Sequence, residues 1–150
     1  MDFTVKRFNQ LETSELYEIL KARFSVFVME QHCFYLDMDD TDYESIHVFA
    51  QDGGLVSTYA RIYPEETPGV WHVGRVLTME RGKGRGLEIM EKVIEVVNDL
   101  GASKLRLDAQ CQAMGFYEKL GLTTCSGEFM EAGIPHIMME MDFKKKKDIL

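Results

Sequence analysis

Val73-Gly74-Arg75-Val76-Leu77-Thr78-Met79-Glu80-Arg81-Gly82-Lys83-Gly84-Arg85-Gly86 is the stretch that decides how this chain is read. Its first half has the apolar composition of a strand, and its second half sets three glycines two residues apart among three cations. Directly after it, Leu87, Met90, Val93, Ile94, Val97 and Leu100 recur at helical spacing, and Gly101 supplies a stop. A helix start leaves about four backbone N–H groups without intrahelical partners. The macrodipole adds roughly half a positive charge at the same end. Glycines at 82, 84 and 86 let an anion approach the backbone without meeting Cβ atoms, while Arg81, Lys83 and Arg85 add charge. These are the requirements of a phosphate or pyrophosphate cradle. A Walker A loop is excluded because no Gly-Lys-Ser/Thr follows, and a Rossmann loop because the last glycine interval is wrong and the turn sits in mid-chain.

Working outward, residues 70–78 form the strand entering the cradle and residues 64–69 a loop before it. Residues 46–50 and 55–63 read as strands joined by a hairpin-type turn at Gln51-Asp52-Gly53-Gly54. Nearer the N-terminus, residues 3–8 read as a strand, and Ser14 caps a helix through about Val28 on the spacing of Leu16, Ile19, Leu20, Phe24 and Phe27. Residues 29–44 are polar and aromatic without a period and read as a long loop. Beyond the cradle helix come a strand at 104–109, a short helix at 113–120 stopped by Gly121, and a closing antiparallel pair at 122–129 and 136–143. The order implies an α+β domain with a mixed sheet and one parallel crossover.

A chain of 150 residues corresponds to about one domain, expected over residues 1–143, with a lysine-rich tail at 144–150. The net charge of −8 argues against general nucleic-acid binding, which needs a basic face. No apolar run approaches the ~20 residues of a membrane span, and the N-terminus has no basic-then-apolar export pattern. Three cysteines, with no CxxC spacing, fit reduced thiols in a cytoplasmic protein.

Two motifs carry a family resemblance. Arg81-x-x-Gly84-x-Gly86 matches the [QR]xxGx[GA] signature of the GNAT acyltransferase superfamily. One strand later, Ala113-Met114-Gly115-Phe116-Tyr117-Glu118-Lys119-Leu120-Gly121-Leu122 resembles that superfamily's A…FYEKxGF segment, with Leu122 in place of Phe. Leu16-Tyr17 with Arg23, Val26-Phe27-Val28-Met29-Glu30-Gln31, Asp39, Asp42, Gly74-Arg75-Val76, and Gly133-Ile134-Pro135-His136-Ile137 with Met139 extend the resemblance to its ElaA-like branch. The resemblance implies the acyl-CoA N-acyltransferase fold, a mixed, mostly antiparallel central sheet of about six or seven strands flanked by about four helices. It also implies that acetyl-CoA is the co-substrate. The pyrophosphate would rest on the amides of Arg81, Gly82, Lys83, Gly84, Arg85 and Gly86. The pantetheine arm would run between splaying strands at 71–78 and 104–110, along Val76, Leu77 and Thr78, with Gln110 and Phe116 among the CoA-binding residues. A main-chain N–H near Val76 would polarise the acyl carbonyl. Direct attack by a primary amine of a small molecule or peptide would follow, with Tyr117 donating a proton to the departing thiolate. No metal, nucleic acid or membrane is expected to take part, and dimers are common among similar proteins.

The proton-accepting group is left open among Glu30, His47, His72, Asp108, Glu128 and His136. His136 stands in the ElaA-like segment, and His72 lies on a strand flanking the expected crevice; a histidine titrates nearest neutrality. Glu30 and Gln31 end the first helix at the acceptor-side wall of the fold, and His72 and Asp108 are acceptor-side residues on the strands. The acidic run over 37–44 reads as a solvated loop, with attraction of a cationic amine as the alternative. Arg23 and Arg75 are expected to pair with internal carboxylates. Cys111 offers a covalent route only if something activates it. Two further readings compete with catalysis by acyl transfer. One is a module that binds acyl-CoA without turning it over; the other is a phosphotransferase, disfavoured because no Ser or Thr follows the turn to hold a metal.

Overall fold

The structure, a computed structural model, describes residues 1–143; the lysine-rich tail expected at 144–150 lies outside the described residues. Seven strands are hydrogen-bonded in the order β1-β2-β3-β4-β5-β7-β6. They are β1 (Thr4–Arg7), β2 (Ile46–Asp52), β3 (Leu55–Pro64), β4 (Val70–Thr78), β5 (Lys104–Gln110), β6 (Thr123–Glu131) and β7 (Ile134–Asp142). β4 and β5 run parallel, whereas β1–β2, β2–β3, β5–β7 and β6–β7 are antiparallel. The single parallel crossover is made by α2 (Arg85–Asp99), as the alternation of strand and helix patterns requires.

The described residues form two compact units. Met1–Tyr63 with Val73–Val96 make the first, and Pro64–His72 with the described residues from Val97 to Phe143 make the second. In the first unit α1 (Thr13–Arg23) puts Ile19 and Ala22 into a core with Val26, Phe49, Val56, Tyr59 and Leu77. Its start is closed by the Glu12 N–H donating to Glu15 Oε1 at 2.8 Å, two residues ahead of the expected Ser14 cap. The helix does not stop at Val28. It continues as a π-helical segment over Phe24–Glu30, closed by the Gln31 N–H donating to the Val26 carbonyl, five residues back, at 3.0 Å. The hairpin joining β2 and β3 turns at Gly53-Gly54, as its sequence announces.

In the second unit the first residues of β4 pair with β5, Val70 opposite Lys104 and His72 opposite Arg106. β5 pairs along its whole length with β7, Gln110 opposite His136 and Lys104 opposite Asp142. Leu105, Leu107 and Ala109 are buried on one face of β5, and Lys104, Arg106, Asp108 and Gln110 stand on the other, the period of two that a sheet imposes. Between β5 and β6, α3 (Met114–Lys119) is a helix of under two turns. Three α-helices are therefore present among the described residues, where about four were expected. The 31–44 segment makes only a short 3-10 turn over Thr41–Glu44, because side-chain ion pairs, described below, hold it in place of a helical ladder.

Candidate active site

The cradle is in the first unit. β4 ends at Thr78, whose hydroxyl donates to the Glu80 carbonyl at 3.0 Å, and the Met79 N–H donates to the Ser57 carbonyl at 2.7 Å. The chain then turns through Gly82 at φ +76° and Gly84 at φ +71°. Both are in the left-handed region that costs an L residue ~1–2 kcal/mol, and a Cβ built on either meets nothing within 4 Å. α2 begins at Arg85, so Arg85 and Gly86 lie in its first turn rather than before it. The first intrahelical bond runs from the Glu88 N–H to the Gly84 carbonyl at 3.2 Å, which leaves the amides ahead of Glu88 as the orphan donors of a helix start. This concave run of amides on open glycines fits a pyrophosphate. The cations of the turn are held by neighbouring carboxylates: Arg81 pairs with Glu30, Lys83 with Glu80 at 3.6 Å, and Arg85 with Glu88 at 3.2 Å. Glu30, expected on the acceptor side, is thus brought to the cradle. Gln31 caps the π segment through its own N–H.

Upstream of the cradle, β4 changes phase. Val70 and His72 are buried, then Val73 and Leu77. Arg75 within this strand has φ +54°, a left-handed backbone on a residue with a full side chain. The expectation that Arg75 and Arg23 pair internally holds, and the acidic run proves to be their partner. Arg75 Nε donates to Asp37 Oδ1 at 2.7 Å and its Nη2 to the Asp37 carbonyl at 3.0 Å. Arg23, fully buried on α1, donates through Nε to Asp37 Oδ2 at 2.8 Å and through Nη1 to Asp42 Oδ1 at 2.7 Å. Arg61 of β3 spans Asp39 and Asp42. The solvated-loop reading of 37–44 is therefore corrected for Asp37, Asp39 and Asp42, whose charges are taken by arginines, while Asp40 and Glu44 stay exposed. Asp37 and Asp42 are buried, and Asp37, Asp39 and Asp42 are neutralised by three arginines. Hydrogen bonds from Arg61 hold Asp39 down at about 2. Burial alone would raise Asp42, but the bonds and charge of Arg23 and Arg61 outweigh it and hold it low. Arg61 carries no motif, but a charge in the otherwise apolar Tyr59-Ala60-Arg61-Ile62 run is the mark of a buried pair.

His47 is set in the same cluster. Its Nε2 donates to the Asp42 carbonyl at 3.0 Å, so Nδ1 accepts from the Tyr59 hydroxyl at 2.7 Å. Burial lowers its pKa, and with both ring nitrogens occupied it has a packing role.

The second unit carries the remaining titratable candidates. Tyr117 on α3 meets the Phe116 ring edge-to-face at 5.1 Å, and burial raises the pKa of its phenol, which keeps the proton on at neutral pH. His72 Nδ1 is 2.9 Å from Glu65 Oε1, and its Nε2 is 3.7 Å from Asp108 Oδ2. Glu65, a loop residue absent from the sequence reading, also accepts from Arg106 at 3.2 Å. His136 stacks on Phe129, its Nδ1 donating to the Ile134 carbonyl at 2.7 Å, and its Nε2 lies 3.5 Å from Glu131. Gln110 accepts from Gln112 at 2.8 Å. Desolvation and the Glu128 carboxylate raise the Cys111 thiol, which removes the thiolate that a covalent route needs. Among the described residues no group of three or more His, Cys, Asp or Glu is placed to hold a metal ion, and no helix is long and apolar enough to cross a membrane.

Comparison with known proteins accords with this geometry. The profile of the acetyltransferase (GNAT) domain family matches residues 9–143. The UPF0039 protein C11D3.02c of Schizosaccharomyces pombe is 35% identical over 147 residues, 95% of this chain and 97% of that protein. Protein ElaA of Escherichia coli is 34% identical over 139 residues, 87% of this chain and 90% of its own. Its crystal structure superposes with a TM-score of 0.88 over 94% of this chain and 99% of that one. An acyl-CoA N-acyltransferase from Pseudomonas aeruginosa, 31% identical, superposes with a TM-score of 0.87 over 93% of this chain and 97% of its own.

Proposed function

Starting from the fact that this chain belongs to the acetyltransferase (GNAT) domain family, in its ElaA-like branch, we propose that it transfers an acetyl group from acetyl-CoA to a primary amine. The family supports an acyl-CoA donor. The observation that carries the reading on this chain is the cradle: left-handed Gly82 and Gly84, open space over both, and the orphan amides of α2. Arg81 to Gly86 hold the pyrophosphate there. Val76, Leu77 and Thr78 line the pantetheine arm, and the Val76 N–H donates to the thioester carbonyl, where charge builds during attack. Gln110 and Phe116 complete the donor side. Tyr117 gives its proton to the sulfur as the C–S bond breaks, which a phenol, protonated at neutral pH with an ordinary pKa of ~10, is able to do. His136 and His72 are the groups proposed to take the ammonium proton before attack, with Gln31 and Asp108 on the acceptor side. The same reading places the enzyme in the cytoplasm, as a homodimer acting on a small-molecule or peptide amine.

The test is incubation of the full chain with acetyl-CoA and a broad panel of primary amines, scoring release of free CoA thiol. Amine-dependent release supports the proposal. CoA binding without release on any amine makes the protein an acyl-CoA-binding module instead.

A further inference from the structure

Arg75 is the one residue of β4 with a positive φ, and its side chain is gripped by three hydrogen bonds to Asp37 and Asp39. Its Nε and Nη2 take Asp37 by a carboxylate oxygen and the main-chain carbonyl, Nη2 reaches Asp39 Oδ2 at 3.4 Å, and the guanidinium sits 5.5 Å from the Tyr35 ring. Asp37 cannot yield to that pull. Its second carboxylate oxygen and the same carbonyl accept from the fully buried Arg23 at 2.8 and 2.9 Å. The acid is therefore a rivet with α1 on one side and β4 on the other.

We infer that the Asp37–Arg75 pair is a positioning device for the Val76 amide, which rests on the acyl-transfer reading above. The peptide that carries the Val76 N–H is the one that follows Arg75, so its direction is set by the backbone angles of Arg75. An arginine left to itself does not hold the left-handed region; an extended Arg75 would rotate that peptide and carry the N–H with it. The pair holds Arg75 at φ +54° from its side chain, and the segment between α1 and β2 thereby fixes the donor that polarises the thioester carbonyl. Arg75 and Asp37 act through Val76 and are positioning residues.

The test compares Arg75→Lys, Arg75→Gly and Arg75→Ala in the full chain. One readout is kcat and KM with an amine that supports thiol release. The other is the ratio of affinities for a carbonyl-bearing acetonyl thioether of CoA and for CoA itself, which needs no turnover. Lysine keeps a charge for Asp37, glycine adopts a left-handed backbone freely, and alanine does neither. The expected order is wild type, Lys, Gly, Ala. Alanine should lose about 10- to 100-fold in kcat, lose the preference for the carbonyl-bearing analogue, and keep CoA affinity within about twofold. A merely structural Arg75 lowers activity only through stability, ranks glycine above alanine just the same at a left-handed position, and leaves the affinity ratio unchanged; an unchanged ratio in Arg75→Ala overturns the inference. If wild type binds CoA but supports no release with any amine, the acyl-transfer reading fails while the affinity ratio still reads the clamp. Thermal melts of the glycine and alanine variants identify any loss that is simple unfolding, and Arg75→Lys then decides by the same ratio.

Discussion

Arg61 grips Asp39 at both ends, Nη1 to Oδ1 and Nη2 to Oδ2, each at 2.7 Å, while Nη1 also reaches Asp42 at 3.1 Å. Arg61 is 3% exposed and Asp42 is buried with it, while the Asp39 end of the fork opens to solvent. It ties β3 to the segment that leads into β2, and through Asp42 it shares a carboxylate with Arg23 of α1. A cluster of this kind is weak ground for claiming high stability, because each ion gives up its hydration. Removing one member is a different matter.

Arg61→Ala should destabilise the protein by about 3 kcal/mol, since it removes one of the two cations that neutralise the buried Asp42 and empties the space of a buried side chain. Urea denaturation with an unchanged m-value is the measurement. A loss below about 1 kcal/mol would mean that water or Arg23 takes over the charge.

Stability should fall in two stages as pH drops. His47 is held neutral by burial, with its folded pKa below its unfolded value of ~6.5, so its contribution is present above that pH and declines below it. Asp39, at about 2 when folded, and Asp42, also lowered, contribute fully above ~4 and lose that contribution as pH falls toward about 2. His47→Gln should flatten the first stage and leave the second. Denaturation midpoints between pH 7 and 3 check this; an unaltered slope from pH 6.5 to 5 in the variant would sink it.

Gly84→Ala meets no neighbour, so its cost is the backbone's alone. At φ +71° that cost is ~1–2 kcal/mol, and relaxation of the turn should weaken CoA binding about tenfold. Titration calorimetry with CoA reads it. Unchanged affinity would show that the cradle does not need the left-handed residue.

Tyr117→Phe keeps the ring that packs on Phe116 and removes only the hydroxyl. Turnover with a competent amine should fall by about 10²- to 10⁴-fold, with CoA affinity little altered. Equal rates would remove the phenol from the chemistry.

Glu30→Gln frees Arg81 of an exposed partner. Folding stability should move by no more than about 0.5 kcal/mol, as for other surface pairs, while CoA binding tightens at low ionic strength and the gain fades in salt. Weaker binding at low salt would argue that Glu30 contributes to the donor site.

Much of this was legible locally. The cradle announces itself because glycine spacing, cations and a helix start are all encoded within a few residues. The strands at 46–50 and 55–63 follow from alternation and a two-glycine turn. The hydrogen-bonding role of 37–44 was not legible, because a solvated acid and a buried acid look alike until their partners are placed. Asp37 finds Arg75, and Asp39 finds Arg61, across separations that no local pattern records. The π-helical winding of Phe24–Glu30 at the end of the first helix was not legible, because a wide turn answers to packing rather than to any capping residue.

By itself, then, the sequence determined the order of elements, the glycine-rich turn at a helix start and the family, since each depends on neighbours in the chain. The tertiary structure decided the rest. It showed which acids are spent on arginines, it removed His47 from the base candidates, it supplied Glu65 as the partner of His72, and it bent Arg75 into a left-handed backbone. These are matters of desolvation and long-range pairing, in which a charge takes its character from whatever the fold brings within a hydrogen bond of it.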